Sequence, residues 1–376
     1  MQTYQLNILY IEPFYSGSHK QWIDSYQKYS HHNITILSLP GKKWKWRMHG
    51  GAITLAKEYN KLKSNFDIIL CSDMLNLPVF KAVSHDNLCN SKVVMYFHEN
   101  QLSYPWSPMD KDLELKRDLH YYYINYTSSL ISDYNYFNSN YHLLSYVEGL
   151  RKYLHKMPDF KNIDTIDLIN NKSSVLPIGC ELNKYKNDYK KNIDPVILWN
   201  HRWEYDKNPE LFFNTLFELD DNDVDFKLIV VGESYSEYPD IFNIAKNRLS
   251  SKIIHFGYCN NYEDYIQYLK LSNILPVTSN QDFFGISIVE AVAYGLYPIL
   301  PNRLSYPELF DNNTNSHIFY NNKTEFKDKI ISAINNLTLL SDKIKSLKNN
   351  VYQNFNWNNV SKKYDQTFNE LNSDNV

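Results

Sequence analysis

Short apolar segments alternate with longer amphipathic ones along almost the whole chain, and this alternation restricts the fold more than any other feature. Each apolar segment is brief and rich in β-branched or aromatic residues, which is typical of strands, whereas the stretches between them have helical spacing. Strands that alternate with helices in this way form a parallel sheet with helices on both faces. The sequence therefore predicts an α/β fold of doubly wound, Rossmann-like sheets.

The alternation runs through the chain twice. The first set of predicted strands is LNILYIE (6–12), NITILSL (33–39), FDIILCS (66–72), KVVMYFH (92–98) and DYNYFNS (133–139). The second set is PVILWNH (195–201), FKLIVVGE (226–233), KIIHFGY (252–258), NILPVTS (273–279) and YPILPN (297–302). Between the sets, SSVLPIG (173–179) leads into a polar stretch rich in Asn and Lys, which is typical of a linker.

We therefore predict two domains, residues 1–183 and 184–376, with a hinge near residue 185. The second domain is expected to be wholly helical from about residue 323, with a last helix from Trp357 to Leu371. Two such domains that face each other form a deep cleft, and ligands bind beyond the carboxyl ends of parallel strands. The residues that directly follow each strand are therefore the candidates for a functional site.

Composition limits the kind of partner. Hydrophobic residues make up 43% of the 376 residues, which is enough for a sizeable core. The net charge is +3 over residues 1–180 and −6 over residues 181–376, and nine of the twelve histidines lie in the first part. A polyanion is therefore expected to bind the N-terminal half.

Cysteine usage and hydropathy indicate a reduced, cytoplasmic protein. The four cysteines lie far apart with no CxxC pair, so neither zinc spacing nor a disulfide framework is expected. The first residues, MQTYQLNILYIEPF, lack the pattern of a signal peptide. No apolar stretch approaches the ~18 residues of a membrane span, so no membrane partner is expected.

The turn after the first strand contains Gly17 and Ser18. Gly17 permits a tight turn, Ser18 can cap the next helix, and the helix start offers free N–H groups to an anion. An ordinary strand-to-helix turn is the alternative. The GxGxxG fingerprint is absent, so the sequence gives little support to a dinucleotide site.

A strand that ends in His98-Glu99-Asn100-Gln101 places four hydrogen-bonding side chains at the edge of a sheet. Such a group can hold sugar hydroxyls or support proton transfer. The alternative is a polar loop with a capping histidine.

Two cations follow the strand PVILWN: Arg202 at its end and Lys207 just before a helix. A guanidinium fork and a point charge near a helix N-terminus suit a diphosphate. Cations on an ordinary surface are the alternative.

The stretch SNQDFFGISIVEAVAYG carries Asp282 before a helix and Glu290 eight residues later, about two helical turns away. One acid can contact a sugar while the other reaches ribose hydroxyls, and the amides near Gly285 to Ser287 lie at the helix start. The alternative is an N-capping Asp followed by a helical Glu.

The run KKWKWR combines four cations with two indoles, a combination that cannot be buried as a whole. Its members are Lys42, Lys43, Trp44, Lys45, Trp46 and Arg47. In a strand-like or loop geometry the indoles face one side and the neighbouring cations the other. The alternative is that one indole packs inward while the cations are solvated.

The motifs RWEYDKNPELFF, LIVVGES, HFGY and DFFGISIVEAVAYG together resemble the second domain of retaining GT-B glycosyltransferases. The resemblance implies that Arg202 and Lys207 hold the diphosphate of a nucleotide sugar, that Glu290 binds the ribose and that Asp282 takes the place of the first acid. That first acid is usually Glu, so this chain holds the donor sugar closer or more loosely. The implied donor-binding residues are Gly17, Arg202, Lys207, Glu233, Asp282, Phe284, Gly285, Ile286 and Glu290.

The first half is similar to a narrower family, the tRNA-queuosine α-mannosyltransferases. The motifs YIEPFYSGSHKQWIDSY, LPGKKWKWRMHGGA, SDMLNLPVF and YFHENQLSYPW carry this resemblance. It implies a GDP-mannose donor and, as acceptor, the cyclopentene-diol of queuosine at the wobble position of tRNA for aspartate. Phosphates of the anticodon stem-loop would meet the cations of residues 42–47, and bases would stack on the two indoles. The implied acceptor-binding residues are Ser18, His19, Lys42, Lys43, Trp44, Lys45, Trp46, Arg47, Glu99, Asn100 and Gln101.

The resemblance also implies a mechanism: glycosyl transfer with retention and without a metal or other cofactor. The implied catalytic residues are His98, Asp282, Arg202 and Lys207, with Glu99 and Asn100 orienting His98. Three alternatives remain at this stage: a transferase with a lipid-linked or polysaccharide acceptor, an inactive GT-B module that binds RNA, and a nucleotide-sugar epimerase. The sequence makes no prediction about the oligomeric state.

Overall fold

The first sheet contains six parallel strands in the order β2-β1-β3-β4-β5-β6. These strands are β1 (Asn7–Tyr15), β2 (Asn33–Pro40), β3 (Ile68–Ser72), β4 (Lys92–Phe97), β5 (Tyr134–Phe137) and β6 (Ser173–Val175). The helices that accompany them are α1 (Gly17–Tyr29), α2 (Trp44–Tyr59), α3 (Leu77–Val83), α4 (Asp118–Ile131), α5 (Asn140–His155) and α6 (Asp164–Asn171). Every residue of β3 is buried, as expected for a central parallel strand that helices cover on both faces.

The second sheet also contains six parallel strands, in the order β9-β8-β7-β10-β11-β12. These are β7 (Val196–Trp199), β8 (Lys227–Val231), β9 (Ile253–Gly257), β10 (Ile274–Pro276), β11 (Tyr297–Pro301) and β12 (Phe319–Tyr320). Its helices are α7 (Pro209–Asp221), α8 (Ile241–Arg248), α9 (Tyr262–Leu271), α10 (Ile286–Ala293), α11 (Tyr306–Leu309), α12 (Asn312–Asn315), α13 (Lys323–Asn335) and α14 (Ser341–Phe355). Each predicted apolar run contains one strand, so the α/β prediction is confirmed.

Strand order fixes where a site can form in each sheet. In the first sheet the order of connection changes direction between β1 and β3, and in the second sheet it does so between β7 and β10. Crevices open at such switch points because the following loops turn to opposite faces of the sheet. The residues after β1, β3, β7 and β10 are therefore the first to inspect.

The last helix, α15 (Trp357–Ser373), packs with the first sheet. Its buried stripe includes Trp357, Tyr364 and Phe368, and the Asp365 carboxylate accepts a hydrogen bond from the Tyr26 hydroxyl of α1 at 2.9 Å. This corrects the predicted assignment of all C-terminal helices to the second domain. The stripe is apolar enough to require a partner, but its spacing does not say which sheet supplies it.

The computed structural model describes residues 4–85, 89, 91–106, 112, 118–182, 194–234 and 237–373. The chain divides into two units, Met1–Gly179 with Trp357–Val376, and Cys180–Asn356. The predicted boundary at 183/184 and the hinge near residue 185 lie outside the described residues. Among the helices of the described ranges, none has both the length and the apolar character that a membrane crossing requires.

Candidate active site

Glu12, at the carboxyl-terminal part of β1, is a fully buried carboxylate with four polar partners. Its Oε2 accepts a hydrogen bond from the Tyr10 hydroxyl at 2.7 Å and lies 2.9 Å from Nδ1 of His19. Its Oε1 accepts hydrogen bonds from the Phe14 amide at 2.8 Å and the Ser72 hydroxyl at 3.0 Å. Burial alone raises the pKa of Glu12, but His19 and these donors hold that pKa below its usual value.

His19, on the first turns of α1, is the cationic partner of Glu12. Burial lowers the pKa of His19, but the charge and hydrogen bond of Glu12 outweigh burial and raise that pKa to about 9. The ring is therefore an imidazolium at neutral pH. Its centroid lies 4.2 Å from that of His98, so a positive charge adjoins the His98 ring.

His98 follows β4 and presents a neutral ring. Burial, and after it the charge of His19, lower the pKa of His98 well below its usual value. The His98 amide donates to Oδ1 of Asp73 at 2.9 Å, and its carbonyl accepts from the Asn138 side chain at 2.9 Å. Its buried Nε2 has no hydrogen-bond partner among the described residues. A buried, neutral ring nitrogen without a partner is suited to a substrate hydroxyl.

Asp73, directly after β3, completes this group at the switch point of the first sheet. Burial raises the pKa of Asp73 to about 8, against the opposing effect of His19. Burial thus favours the neutral form of this carboxyl. The Glu12–His19 pair and Asp73 adjoin the His98 backbone and ring.

The expectation that Glu99 and Asn100 orient His98 is wrong. Oδ1 of Asn100 accepts instead from the amide and hydroxyl of Ser103, at 2.9 and 3.0 Å, and so closes the following turn. Oε1 of Glu99 accepts from Nε2 of Gln101 at 3.2 Å. Side chains on one short turn bond to one another, and the His98 backbone is held by residues from neighbouring strands.

The helix after β1 begins at Gly17, one residue before Ser18, which was predicted to be its cap. Gly17 is the first residue of α1 and has φ +51°, a left-handed conformation that glycine adopts at little cost. The N-cap is Ser16, without a side-chain cap, so the predicted capping role of Ser18 is wrong. Ser18 is instead an exposed residue of the first turn.

In the second unit, Lys207 lies between two acids. Its Nζ donates to the Gln281 carbonyl at 2.6 Å and lies 3.2 Å from Oδ2 of Asp206 and 3.6 Å from Oδ2 of Asp282. Only 9% of its side chain is exposed. Residues after β7 and β10 thus meet at the switch point of the second sheet.

Asp282 is not an N-cap. The N-cap of α10 is Gly285 at φ +92°, and the Asp282 carboxylate accepts instead from the Tyr306 hydroxyl at 2.7 Å. The first amides of α10 belong to Ile286 and the residues after it, and Phe284 is buried beside them. That the amides at the start of α10 bind an anion stays a prediction.

Arg202, just after β7, is a partly exposed cation whose guanidinium lies 3.1 Å from Oε2 of Glu204. The adjoining loop comes close to Gly232, where a Cβ would lie 2.0 Å from the His201 carbonyl oxygen. Only glycine fits there, and the Glu233 carbonyl then accepts from the Trp203 amide at 2.9 Å. The loops after β7 and β8 are thereby fixed against each other.

Glu290 is a buried acid on α10. Burial raises the pKa of Glu290 to about 7, against the lowering effect of the Tyr262 hydroxyl 3.5 Å away. Nearby, the Asn200 side chain donates to the Ser287 carbonyl at 2.9 Å and to the Tyr265 hydroxyl at 3.2 Å. A buried carboxyl beside hydroxyl and amide groups is suited to a vicinal diol such as a ribose.

The KKWKWR run is not strand-like: Trp44 is the first residue of α2 and Lys43 is its N-cap, at φ +55°. The indoles are two residues apart, so on a helix they point in different directions. Trp44 packs inward, with its ring 5.1 Å from that of Tyr121, and Trp46 is 63% exposed. The predicted placement of both indoles on one side is therefore wrong.

The cations of the run have different surroundings. Lys45 lies 2.5 Å from Asp112, and Nε of Arg47 donates to the Pro40 carbonyl at 3.1 Å, whereas Lys42 and Lys43 are exposed. Gly50 lies beneath Trp46, because a Cβ there would be 2.7 Å from the indole. The exposed indole thus rests on a glycine, with two exposed cations close by in the sequence.

Two groups of potential metal ligands exist among the described residues: Glu12, His19 and His98, and separately His31, His32 and Asp365. In the first group, hydrogen bonds already occupy both oxygens of Glu12, and Nδ1 of His19 contacts one of those oxygens. In the second, Leu6 donates its amide to Nδ1 of His32, which leaves Nε2 as the protonated nitrogen. Hydrogen bonds thus engage both oxygens of Glu12, Nδ1 of His19 and Nδ1 of His32, whereas Nε2 of His98 has no partner among the described residues.

Sequence reasoning missed Glu12, Asp73 and Tyr306. Glu12 and Asp73 carried a signal, since both lie at the ends of strands that flank a switch point. Tyr306 carried none, because it lies after β11 and reaches Asp282 only through the folded chain.

Two family models match the chain, and together they cover most of it. Residues 7–180 match the model described as tRNA-queuosine alpha-mannosyltransferase N-terminal, and residues 183–353 match the model described as Glycosyl transferases group 1. The two matches divide the chain close to the boundary between the two sheets.

Solved structures agree on the fold. A glycosyltransferase from Rickettsia africae superposes with a TM-score of 0.66 at 19% identity, over 98% of each chain. Sucrose-phosphate synthase from Thermosynechococcus elongatus superposes with a TM-score of 0.71 at 13% identity, over 98% of this chain and 100% of that one. These neighbours show that the two units have the GT-B fold.

One relative has substantial identity along almost its whole length. The tRNA-queuosine alpha-mannosyltransferase of Drosophila melanogaster is 32% identical over 368 residues, which cover 95% of this chain and 93% of that protein. With the two family models and the GT-B fold, this similarity shows that the chain is a glycosyltransferase, and that it belongs to the tRNA-queuosine alpha-mannosyltransferase family.

Proposed function

We propose that this protein transfers mannose from GDP-mannose to the cyclopentene-diol of queuosine at the wobble position of tRNA for aspartate, with retention at the anomeric carbon. The observation that carries the proposal is the similarity to the Drosophila enzyme over nearly the full chain. The groups at the two switch points support it, because they supply what a glycosyl transfer needs.

The second unit supplies the donor site. Lys207 and Arg202 offer positive charge for a diphosphate, and the first amides of α10 offer further donors. Preorganised donors of this kind stabilise a leaving group as its charge develops. Glu290 holds the ribose hydroxyls, and Asp282 holds hydroxyls of the mannose.

The first unit offers a group for a substrate hydroxyl and a group for an anion. Nε2 of His98 has no partner among the described residues, so it is available to a hydroxyl of the donor sugar or the acceptor. Gly17 lies at the start of α1, where its lack of a side chain lets a phosphate approach the helix amides.

The transfer breaks the bond between the anomeric carbon and the phosphate oxygen and forms a bond from that carbon to a diol oxygen on the same face. The leaving phosphate accepts the proton of that hydroxyl, and GDP departs. No separate general base is assigned. Lys207, Arg202 and the α10 amides carry the role that a metal ion fills in other transferases, so we propose a reaction without a metal.

The tRNA is bound by the first unit. Trp46 is an exposed stacking surface, and Lys42 and Lys43 are exposed cations for phosphates. Because Trp44 is packed against Tyr121, the stacking role that was predicted for both indoles falls to Trp46. We propose that the reaction takes place in the cytoplasm, where a tRNA acceptor is present.

The deciding experiment is mass spectrometry of nucleosides from queuosine-containing tRNA after incubation with the protein and GDP-mannose. A hexose added to queuosine in tRNA for aspartate, and not in other queuosine-containing tRNAs, supports the proposed donor and acceptor, and the anomeric configuration of the product tests retention. Release of GDP without such a product retains the transferase and excludes the tRNA acceptor. Transfer from a different nucleotide sugar changes only the donor.

A further inference from the structure

Tyr306 is a fully buried residue at the start of α11 whose hydroxyl reaches the candidate donor site. The hydroxyl donates to Oδ2 of Asp282 at 2.7 Å. Nothing in the sequence motifs connects these residues, because they lie on different loops that follow β10 and β11. A tyrosine hydroxyl that bonds to a carboxylate fixes the torsion angles of that carboxylate.

The packing leaves little freedom to this pair. A Cβ at Gly285 would lie 3.0 Å from Cε1 of Tyr306, so the absence of a side chain at 285 makes room for the ring. The Ser305 hydroxyl donates to the Phe284 carbonyl at 2.9 Å and ties the start of α11 to the same turn. The ring therefore has one available position, with its hydroxyl directed at Asp282.

The backbone before Asp282 has independent supports. The guanidinium of Arg303 donates to the Ser279 carbonyl at 3.1 Å and to the Asn280 side chain at 3.0 Å. Lys207 donates to the Gln281 carbonyl at 2.6 Å. Because these bonds hold the loop, the Tyr306 hydroxyl acts on the side chain of Asp282 and not on the course of the chain.

The two oxygens of Asp282 have different surroundings. Oδ2 receives the Tyr306 hydroxyl and faces the Lys207 ammonium at 3.6 Å. For Oδ1, no partner exists among residues of the described ranges, and 20% of the side chain is exposed. One oxygen is therefore anchored and the other is open to a ligand, whereas an unanchored carboxylate would exchange the two.

We propose that Tyr306 is a positioning residue, which holds the short Asp282 side chain so that Oδ1 is presented to a hydroxyl of the donor sugar. The proposal deepens the proposed function and rests on it, since Asp282 must contact the sugar. The anchored geometry replaces the reach that the usual Glu would have at this position, so the Asp and the Tyr act as a pair.

The test is the substitution Tyr306→Phe, which removes one hydroxyl and keeps the ring. We expect kcat for mannosyl transfer to fall about 10-fold or more, the size of a hydrogen bond to a charged group. The KM for tRNA should stay within about 2-fold, because Tyr306 is fully buried and the proposed tRNA contacts lie in the first unit. Thermal unfolding of the same samples shows whether the variant is folded.

Tyr320→Phe is the matched control. Its hydroxyl is also buried in the second unit and donates to the Val277 carbonyl at 2.8 Å, without a hydrogen bond to Asp282. We expect its kcat to remain within about 2-fold of the wild-type value. An equal loss in both variants would mean that any buried hydroxyl near this loop matters, and it would overturn the positioning role.

A double-mutant cycle with Asp282→Asn separates positioning from structural support. If Tyr306 acts through the carboxylate, Tyr306→Phe should cost less than about 2-fold in the Asp282→Asn background. A full additional loss in that background overturns the proposal, as does a wild-type kcat in Tyr306→Phe.

Calorimetric titration of GDP-mannose and of GDP distinguishes a failure of this inference from a failure of the proposed function. Wild-type protein should bind GDP-mannose more tightly than GDP, and Tyr306→Phe should lose that difference while its Kd for GDP is unchanged. An unchanged difference overturns the role of Tyr306 even where transfer to tRNA occurs. Wild-type protein that binds no GDP-mannose, and transfers none, overturns the proposed function and this inference with it.

Discussion

Nδ1 of His19 lies 2.9 Å from Oε2 of Glu12, and both side chains are buried in the first unit. The pair joins the end of β1 to the first turns of α1 and places a positive charge beside the ring of His98. A buried ion pair whose partners satisfy each other is costly to break from one side, because the remaining charge is left without compensation. The stability of this sheet edge therefore depends on the protonation of His19, the ring that adjoins His98.

The first prediction concerns stability at alkaline pH. The pKa of His19 is raised to about 9 in the folded state, so its protonation stabilises the fold fully below about pH 6.5 and this contribution is lost as the pH rises through 9. The shift corresponds to up to about 3 kcal/mol of unfolding free energy. Urea unfolding followed from pH 6 to pH 10 should show this decline, added to the decline from Asp73 and Glu290, whose pKa values burial also raises.

The variant Glu12→Gln should flatten that alkaline decline and lower stability at pH 7 by about 3–5 kcal/mol, the cost of breaking a buried pair from one side. Lys20→Gln is the matched control, because Lys20 forms an exposed ion pair with Asp24 on the same helix. Its effect should stay within about 1 kcal/mol. An alkaline decline that persists unchanged in Glu12→Gln would show that the pair is not its source.

The second prediction tests leaving-group stabilisation. Arg202→Ala should lower kcat/KM for transfer by about 10²-fold or more, because a preorganised charge at the developing diphosphate is removed. Steady-state kinetics with GDP-mannose and tRNA give the value. Arg248→Ala, which removes an exposed arginine paired with Asp221 in the same unit, should leave the rate unchanged. A fully active, folded Arg202→Ala would rule out this part of the mechanism.

The third prediction concerns metal ions. Activity should survive exhaustive treatment with EDTA, because we propose that Lys207, Arg202 and helix amides supply the positive charge at the diphosphate. Rates are compared before chelation, after it, and after the return of Mg²⁺ or Zn²⁺. Loss of activity that a metal restores would contradict the proposal and direct attention to Glu12, His19 and His98, whose ligand atoms lie within 4.8 Å of one another.

The fourth prediction distinguishes the two indoles of α2. Trp46→Ala should weaken tRNA binding about 10-fold or more without a change in thermal stability, because a base stacked on an aromatic ring contributes about 1–3 kcal/mol. Trp44→Ala should instead destabilise the first unit, since Trp44 packs on Tyr121. Binding is measured with an anticodon stem-loop at fixed salt, because affinity for nucleic acid depends strongly on ionic strength.

Phe160→Ala is the control for surface aromatics, since Phe160 is 88% exposed in the same unit and lies outside α2. We expect it to bind the stem-loop as the wild type does. Equal losses in Trp46→Ala and Phe160→Ala would mean that exposed aromatic area in general, and not Trp46, governs the interaction.

The sequence alone determined the parts of this protein that depend on local pattern. Apolar runs of strand length between helical stretches defined both sheets, because periodicity is a property of neighbouring residues. Short motifs identified His98, Arg202, Lys207, Asp282 and Glu290 as candidates, because the ends of parallel strands are where such residues can meet.

Tertiary structure alone decided the pairings between distant residues. The return of α15 to the first sheet, the contact between Glu12 and His19, and the bond from Tyr306 to Asp282 depend on strand order and packing. No local period encodes them. The same holds for Trp44 and Trp46, whose helical start divides one sequence motif into a core residue and a surface residue. Local pattern set which elements form, and the burial of apolar faces against one another set which side chains meet.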